Sequence, residues 1–273
     1  MKVSIVVTTY LESTKKYLDL CIASIHNLNY PKELLDIVLV GRKGYMPYYP
    51  GVRTICPEQE SFHNSVGLNC GFKATHENSK YILMLNDDVI LTKNSLSHLV
   101  NAVGDKKVMA NGISPCDNGT TYEMAMGYQK NDQLIWFQKN QHRYEDFHPE
   151  EYHYIMNSDS LCPPGVIYAS WLCQYATLMP RIIIDEVGLF DENFKTGQDD
   201  LDHCIRAAKK GYRFVSVTSA MIFHFGGTSA QSTLNLDLRV KNIEYFKSKH
   251  GFWPPGMTDE YVENLRQGKI HGF

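Results

Sequence analysis

Two clusters of acidic residues carry the side chains best suited to chemistry. The first lies in Tyr81–Leu91, YILMLNDDVIL, where an apolar run ends in Asn86, Asp87 and Asp88. A short apolar run beside small polar residues is typical of a buried strand. Two anions at the end of such a strand repel each other and lose hydration, and a divalent cation would relieve both costs. Carboxylate and amide oxygens suit Mg²⁺ or Mn²⁺, although a solvated turn after the strand explains the same residues.

The second cluster, GQDDLDHCIRAAKKGY, combines acids with the period of a helix. Asp199, Asp200 and Asp202 crowd the first turn of that helix. Its apolar positions recur at helical spacing and predict one buried stripe: Leu201, Cys204, Ile205 and Ala208. Acids at a helix start suit the helix dipole, so a purely structural role is one interpretation. The number of acids nevertheless exceeds what a cap needs.

Helix geometry separates the acids of the second cluster. Successive helical residues point about 100° apart, so the carboxylates face different directions. With Leu201 in the core, Asp202 faces away from it and is expected either to serve the helix start or to pair with Arg206 at i+4, and in both cases to contribute mainly to stability. Asp199 and Asp200 lie at the junction of loop and helix, from which a side chain can reach a crevice.

The order of the elements in the first part of the chain predicts an α/β fold with a mainly parallel sheet. Strands are expected at Val3–Thr8, Asp36–Val40, Val52–Ile55 and Tyr81–Leu85, and helices at Lys15–Leu28 and His63–His76. Ligands of such sheets bind beyond the carboxyl ends of the strands. We therefore expect Thr8–Tyr10 and Asn86–Asp88 to share one crevice.

The rest of the chain is expected to add a helix capped by Thr92, two strands and C-terminal helices. The two strands are predicted at Arg213–Val217 and Met221–Phe225, and His224 lies at the end of the second. A stretch rich in His, Tyr and acids, His142–Tyr154, has a composition that could bind metal. No ligand spacing stands out in it, which favours an exposed irregular loop or a short helix after Pro149.

The composition is that of an ordinary globular protein. The chain has 273 residues, with 43% hydrophobic and 21% charged residues, which fits one large domain or a domain with an appendage. A formal net charge of -3 argues against a general nucleic-acid binder, which needs a basic face. The 7 cysteines are odd in number and form no CxxC pair, which argues against a disulfide framework or a zinc site.

The cysteine usage also bears on location. Reduced thiols predict a cytosolic protein, and neither a signal peptide nor an apolar run of ~20 residues is recognised in the sequence. We therefore expect a cytoplasmic protein without a transmembrane segment. Peripheral membrane contact and a homodimer stay open.

Taken together, the motifs resemble family 2 glycosyltransferases of the GT-A fold, nearest to the branch that transfers rhamnose and galactose onto surface polysaccharides. The resemblance covers about Lys2 to Ser229, with the motifs in the family's order. These are the SIVVTTY strand, Asn69 with Gly71, a DXD-type motif at Asn86-Asp87-Asp88, the GLFDENF segment, DDLDHCIRAAKKGY, and His224 before GGTS.

The resemblance implies a Rossmann-like, mixed and mainly parallel sheet flanked by helices, with a short C-terminal helical extension. It places a glycosyltransferase domain at residues 1–230 and the helical extension at 231–273. Within the domain, a nucleotide-sugar half would span about 1–105 and an acceptor half about 106–230.

The resemblance also implies an activity. An inverting, metal-dependent hexosyl- or deoxyhexosyltransferase would move a sugar from a nucleoside-diphosphate sugar to a hydroxyl of a glycan or glycoconjugate. UDP or dTDP is expected as the donor nucleotide rather than GDP. Mn²⁺ or Mg²⁺, held by Asp88 and His224 with Asn86, would stabilise the leaving diphosphate. Asp200 is the expected base for the acceptor hydroxyl, with Asp199 as its rival.

The remaining site residues follow from the same resemblance and from the strand ends. The base and ribose pocket is expected to be lined by Thr8, Thr9, Tyr10, Glu12 and Asn69. Asn86 and Asp87 would contact the ribose, the donor sugar or a metal-bound water. Trp171 would floor the acceptor site, near Asp199, by stacking on a sugar ring, although a core tryptophan explains it equally well.

Three departures from the family pattern bear on these expectations. Asn86 stands where the first acid of the DXD motif is usual. The Asp that usually follows strand two is missing from Val40-Gly41-Arg42, which leaves base specificity open. His203 replaces a leucine of the acidic helix motif and is expected at the surface.

Two other classes of protein are alternatives to a glycosyltransferase. A sugar-phosphate nucleotidyltransferase would want a glycine-rich, basic loop near strand one, and TTYLEST contains no glycine. A non-catalytic sugar- or nucleotide-binding protein of the same fold is disfavoured by the presence of both acidic clusters and His224.

Overall fold

The computed structural model describes residues 1–58, 62–114, 156–157, 164–195, 197–225, 236–267 and 269. Its strands are β1 (Val3–Thr8), β2 (Leu35–Val40), β3 (Val52–Ile55), β4 (Tyr81–Asn86), β5 (Val89–Leu91), β6 (Val108–Ile113), β7 (Val166–Ala169), β8 (Ala176–Pro180) and β9 (Arg213–His224). Its α-helices are α1 (Lys15–His26), α2 (Asn64–Lys73), α3 (Ser95–Val103), α4 (Ile183–Glu186), α5 (Asp199–Lys209), α6 (Leu236–His250) and α7 (Asp259–Arg266). Short 3₁₀ turns lie at Glu12–Thr14 and Lys32–Leu34.

The strands form one mixed sheet in the order β3-β2-β1-β4-β8-β6-β9-β5, with β7 also paired to β9. The strands β3, β2, β1 and β4 are parallel neighbours, and β6 and β9 are parallel to each other. Because β8 is antiparallel to both β4 and β6, the strands β1 to β4, β6 and β9 share one direction. This is the mixed, mainly parallel α/β architecture that the sequence predicts.

Both faces of the sheet are covered by helices, which explains why the central strands read as continuous apolar runs. Every residue of β1 is buried. One core packs alternate strand residues against α1 and α3, and a second packs the other set against α2, α4 and α5. Gly71 on α2 allows a close approach to β1, because a Cβ at that position would lie 2.2 Å from Val6 Cγ1.

Two local predictions are wrong, and both failures come from long-range partners. Asn94, rather than Thr92, holds the N-cap position of α3, and the Thr92 hydroxyl donates to the Met221 carbonyl at 2.8 Å. The strand β9 runs unbroken from Arg213 to His224, where two strands are expected. Its middle residues, 218–220, are buried and continue the strand past a register shift in β6.

The C-terminal helices pack on each other through a small apolar cluster that contains Val240, Ile243, Val262 and Leu265. The Thr258 side chain accepts a hydrogen bond from the Tyr261 N–H and so caps α7. None of the helices in the described residues combines the length and apolar character that a membrane crossing requires. The stretch 142–154 and the GGTS segment at 226–229 lie outside the described residues.

Candidate active site

The carboxyl ends of β1 and β4 meet at the first acidic cluster. The two strands are paired in register, with Thr8 opposite Asn86. One residue further, the Thr9 hydroxyl donates to Asp87 Oδ2 at 2.7 Å, and the Thr14 hydroxyl donates to the same oxygen at 3.2 Å. The loop after β1 and the end of β4 are therefore in direct contact, as the parallel order of the strands predicts.

The carboxylates of this cluster are buried rather than solvated. Asp87 and Asp88 are each only 4% exposed, so the interpretation of a solvated turn is wrong. Burial, followed by the negative charge of Asp88, raises the pKa of Asp87 to about 7, and the hydroxyls of Thr9 and Thr14 offset part of that rise. A cation bound beside these two carboxylates would therefore favour their charged forms.

His224 reaches the same cluster from the far part of the chain. It is the last residue of β9, and the pairing of β9 with β5 sets it opposite Val89. Its Nε2 atom lies 3.3 Å from Asp88 Oδ1. The ring of Tyr175 stacks on the imidazole with centroids 4.6 Å apart and planes at 10°, which fixes the orientation of the ring.

The second acidic cluster begins α5, and its first carboxylate is held by α2. Asp199 is buried, and its Oδ2 atom accepts from Asn64 Nδ2 at 3.0 Å and from Ser65 Oγ at 3.3 Å. Asn64 in turn accepts from the Tyr10 hydroxyl at 2.9 Å. A chain of hydrogen bonds thus joins the loop after β1 to the start of α5.

Asp200 is half-buried and less constrained by side-chain partners. Its Oδ1 atom accepts from the Leu201 backbone N–H at 2.7 Å, and its carbonyl oxygen accepts from Gln174 Nε2 at 3.2 Å. Burial and the neighbouring charge of Asp199 raise the pKa of Asp200 above the ordinary aspartate range. A carboxylate with a raised pKa at the edge of a pocket is a suitable proton acceptor.

Asp202 is fully buried and surrounded by basic side chains. Its carboxylate lies 2.9 Å from Arg206 Nε, 2.7 Å from Lys249 Nζ and 2.9 Å from His250 Nε2. The predicted i+4 pair with Arg206 is therefore confirmed. Burial alone would raise the pKa of Asp202, but the hydrogen bond from Lys249 and the charge of Arg206 outweigh it and hold the pKa below the usual value.

A pocket of about 110 Å³ joins the two clusters. Its walls include Asn86 and His224 from the first cluster and Asp199 and Asp200 from the second. The other lining residues are Asn64, Met84, Cys173, Gln174, Tyr175 and Phe190. The sequence therefore points to residues that are distant in the chain and that the fold brings to one cavity.

Sequence reasoning missed two polar residues of this pocket, Asn64 and Gln174. Gln174 is a polar side chain inside the apolar run 166–179, and a buried polar group of that kind needs hydrogen-bond partners, which is a usable signal. Asn64 begins α2 and carries no such signal, because its role depends on Tyr10 and Asp199, which lie far from it in sequence.

The donor set around Asp88 fits a divalent cation. Asp88 Oδ1 and the neighbouring His224 Nε2 are an oxygen and an imidazole nitrogen, and both atom types ligate Mn²⁺. Within the described residues, no group of three or more His, Cys, Asp or Glu side chains forms a complete cage. A site with few protein ligands suits a metal that keeps positions for substrate phosphates and water.

The other predicted site residues do not line this pocket: Thr8, Thr9, Tyr10, Glu12, Asn69, Asp87, Asp88 and Trp171. Glu12 is exposed on the 3₁₀ turn after β1. The side-chain amide of Asn69 is hydrogen-bonded to the GLFDENF segment. It donates to the Phe190 carbonyl and to Glu192 Oε1, both at 2.9 Å, and it accepts a hydrogen bond from the Phe190 N–H. Trp171 is 39% exposed, so the interpretation as a core tryptophan is wrong. Their roles toward substrates stay predictions.

The surface position expected for His203 is wrong. The residue is completely buried, and its ring stacks on Phe190 with centroids 4.4 Å apart. Burial and the charge of Arg206 lower the pKa of His203 to about 3, so the imidazole is neutral at pH 7. Ala208, expected in the buried stripe, is exposed, and Ala207 is buried in its place. The single-stripe expectation fails because α5 is covered at its start on more than one side.

The comparisons with known proteins agree with this geometry. The family model described as glycosyl transferase family 2 matches residues 4–164. A search of curated protein sequences found no match. Two solved structures illustrate the similarity in fold. The S. aureus TarS 1-349 structure has a TM-score of 0.53 and 12% identity, with 97% of this chain and 69% of that chain covered.

The second structure is the mannosyltransferase PcManGT from Pyrobaculum calidifontis in complex with GDP-Man and Mn2+. It has a TM-score of 0.58 and 13% identity, and the match covers 97% of this chain and 69% of that chain. At this level of identity, both structures support the fold alone. Because the family model matches more than half of the chain, the protein belongs to glycosyl transferase family 2 and is a glycosyltransferase with the GT-A fold.

Proposed function

We propose that the protein is an inverting, metal-dependent glycosyltransferase that moves a hexosyl or deoxyhexosyl group from a nucleoside-diphosphate sugar to a hydroxyl of a glycan or glycoconjugate. One observation carries the proposal. Residues of a candidate metal site and of a candidate base, Asn86 with His224 and Asp199 with Asp200, line the same pocket. Transfer needs both a stabilised leaving group and a proton acceptor at one reacting centre.

The first cluster is proposed to bind the diphosphate end of the donor through Mn²⁺ or Mg²⁺. Asp88 and His224 would hold the cation, with Asn86 beside them, and the cation would supply charge stabilisation to the leaving diphosphate. The stacking of Tyr175 keeps the His224 imidazole oriented toward Asp88. Asp87 keeps a hydrogen bond with Thr9, which fixes the loop after β1 next to this site.

The second cluster is proposed to supply the base, with Asp200 in that role rather than Asp199. The carboxylate of Asp199 accepts hydrogen bonds from Asn64 and Ser65, and those bonds orient it toward α2. The side chain of Asp200 is half-buried at the pocket and has a raised pKa, so it can take a proton from the acceptor hydroxyl. A single displacement assisted by one base inverts the anomeric centre.

The loop after β1 is proposed to bind the nucleotide, through Thr8, Thr9, Tyr10 and Glu12, with Asn69 behind them. The motive is their position after the carboxyl end of β1, where ligands of parallel sheets bind. We propose UDP or dTDP as the nucleotide and Trp171 as a stacking platform for the acceptor. The donor choice follows from the family resemblance and is the part that an assay decides most directly.

A donor-hydrolysis assay tests the proposal. The protein is incubated with UDP-, dTDP- and GDP-hexoses, with Mn²⁺ or with EDTA, and the released nucleoside diphosphate and free sugar are measured. We expect release with Mn²⁺ from UDP- or dTDP-sugars, and little release with EDTA. A nucleotidyltransferase would form a nucleoside triphosphate and a sugar 1-phosphate from the donor only when pyrophosphate is added, and a binding protein would release nothing in either case.

The matched control for the metal site is an aspartate far from the pocket. Asp105 pairs with Lys80 and has an 87% exposed side chain. Asp88→Asn should lose most Mn²⁺-stimulated hydrolysis, whereas Asp105→Asn should keep it. Equal rates in the two variants would overturn the assignment of Asp88.

A further inference from the structure

The loop that leads into α5 is held along its length by α6. We call residues 191–198 the entry loop; residue 196 lies outside the described residues. The Asp191 carboxylate accepts from the Tyr245 hydroxyl at 2.9 Å and from Lys249 Nζ at 2.6 Å. The Asn242 amide accepts from the Lys195 N–H and donates to the Gly197 carbonyl, both at 3.2 Å. Backbone and side-chain groups of the loop are thus fixed by one helix.

An apolar contact supports these hydrogen bonds. Phe194 of the entry loop is only 1% exposed, and its ring packs against Tyr245 at 4.9 Å and Phe246 at 6.5 Å between centroids. Leu201 of α5 belongs to the same buried cluster. Burial of these large side chains anchors the loop and the first turn of α5 to α6 together.

One side chain joins the entry loop directly to the acidic helix. Lys249 Nζ lies 2.6 Å from Asp191 Oδ2 and 2.7 Å from Asp202 Oδ1. Asp202 lies two positions after Asp200, within the same helical turn. The ammonium group therefore sets the distance between the start of the loop and the start of α5.

The backbone at the junction is strained. Gln198 has φ 69°, and within the described residues it is the only non-glycine residue with positive φ. A left-handed conformation costs an ordinary residue roughly 1–2 kcal/mol, so surrounding contacts must maintain it. Gln198 directly precedes Asp199 and Asp200. Its conformation decides the direction in which their side chains leave the backbone.

We propose that α6 is a positioning element of the transfer site, in which Lys249 and Asn242 hold the entry loop so that Asp200 faces the pocket. This inference rests on the proposed function of Asp200 as the base. It gives α6 a role in the activity, as a support for the first turn of α5, rather than that of an accessory extension. A displacement of a base by about 1 Å can cost on the order of 10²-fold in rate, so a helix outside the pocket can control turnover.

The test compares Lys249→Met with Lys247→Met in the donor-hydrolysis assay, with Mn²⁺ and the donor that the wild-type protein hydrolyses fastest. Lys247 lies on the same helix, and its ion pair with Asp259 is exposed. We expect Lys249→Met to lower kcat about 10-fold or more while KM for the donor stays within about twofold. Lys247→Met should leave both constants unchanged, and Lys249→Arg should restore most of kcat.

The outcomes separate positioning from stability. Thermal melting identifies a temperature at which each variant is fully folded, and kcat is measured there. If Lys249→Met is folded and keeps the wild-type kcat, the proposal is overturned. If Lys249→Met does not fold, Asn242→Ala replaces it, with the same expected loss of kcat at unchanged KM.

The variant Asp200→Asn, measured in parallel, distinguishes a failure of the role of α6 from a failure of the base assignment. A slow Asp200→Asn beside a normal Lys249→Met overturns the role of α6 and leaves the proposed function standing. A normal rate in Asp200→Asn overturns the base assignment on which this inference rests.

Discussion

The two acidic clusters use their carboxylates in different ways. Asp87 and Asp88 follow a buried strand, and their described partners are threonine hydroxyls and the His224 imidazole. The cluster at the start of α5 instead contains Asp202, which meets three basic side chains. In the first arrangement burial raises the pKa of Asp87 to about 7, so a bound cation would favour its charged form, whereas Asp202 of the second is neutralised within the protein.

This difference between the two clusters shows that the role of a carboxylate depends on the groups that surround it in the folded protein, rather than on its spacing in the sequence. Hydroxyls orient Asp87 without cancelling its charge, which leaves the first cluster suited to a cation. In the second cluster Asp202 is neutralised and Asp199 is held by amide and hydroxyl donors. Asp200 is the carboxylate left at the pocket.

The largest expected effect tests whether the first cluster binds a metal. Asp88→Ala should abolish the gain in UDP or dTDP affinity that Mn²⁺ provides, and His224→Ala should weaken it, because each removes one proposed ligand. Calorimetry of nucleotide binding with and without Mn²⁺ measures the gain, with Asp105→Ala as the control. If Mn²⁺ increases the nucleotide affinity of Asp88→Ala as much as that of the wild type, Asp88 is not a metal ligand.

The next effect tests which acid of the second cluster acts as the base. Asp200→Asn should lower transfer or donor hydrolysis by about 10²-fold or more while the fold and nucleoside-diphosphate binding stay nearly intact. Rates and binding isotherms on the same preparation measure both. If Asp199→Asn is inactive and Asp200→Asn is normal, the base is Asp199. If both variants are active, the base hypothesis fails.

A smaller effect tests the structural role of Asp202. Asp202→Asn should lower the free energy of unfolding by about 2 kcal/mol, because it leaves Arg206 and Lys249 without their buried counter-charge. Urea denaturation measures the loss, and Asp185→Asn on α4 serves as a control. A loss below that of the control would contradict the structural role.

The same variant gives a pH dependence with a defined sign. Asp202 faces Arg206, Lys249 and His250, and its pKa in the folded protein is lowered. A lowered carboxylate pKa contributes stability above the unfolded value of about 3.9, and this contribution is lost as pH falls through the folded-state pKa. The stability gap between wild type and Asp202→Asn should therefore be full at pH 7 and shrink below about pH 4. A gap that is constant down to acid pH would exclude this linkage.

The smallest expected effect concerns the hydroxyl that orients Asp87. Thr9→Val removes a buried hydrogen bond to a carboxylate and should cost about 1 kcal/mol of stability. Thr9→Ser keeps the hydroxyl and should lose less. Denaturation curves for the two variants measure both losses, and a Thr9→Ser variant that loses more stability than Thr9→Val would show that methyl packing outweighs the hydrogen bond.

Local features of the sequence were sufficient for much of the framework. The apolar runs of β1 and β4 fixed those strands, because a buried strand must be apolar on both faces. The pair Asp202 and Arg206 also followed from local geometry, since residues at i and i+4 are neighbours on a helix. The contact between the loop after β1 and the end of β4 needed only the parallel order of the strands.

Other features depended on groups that approach from far along the chain. Asn64 reaches Asp199 across 135 positions and Lys249 reaches Asp191 across 58, and neither contact leaves a local periodic signal. The burial of His203 was likewise set by Phe190 packed against it. Periodicity reports which face of a helix is apolar. Only the tertiary structure decides which polar groups meet that helix, and therefore which of its carboxylates is left to face the pocket.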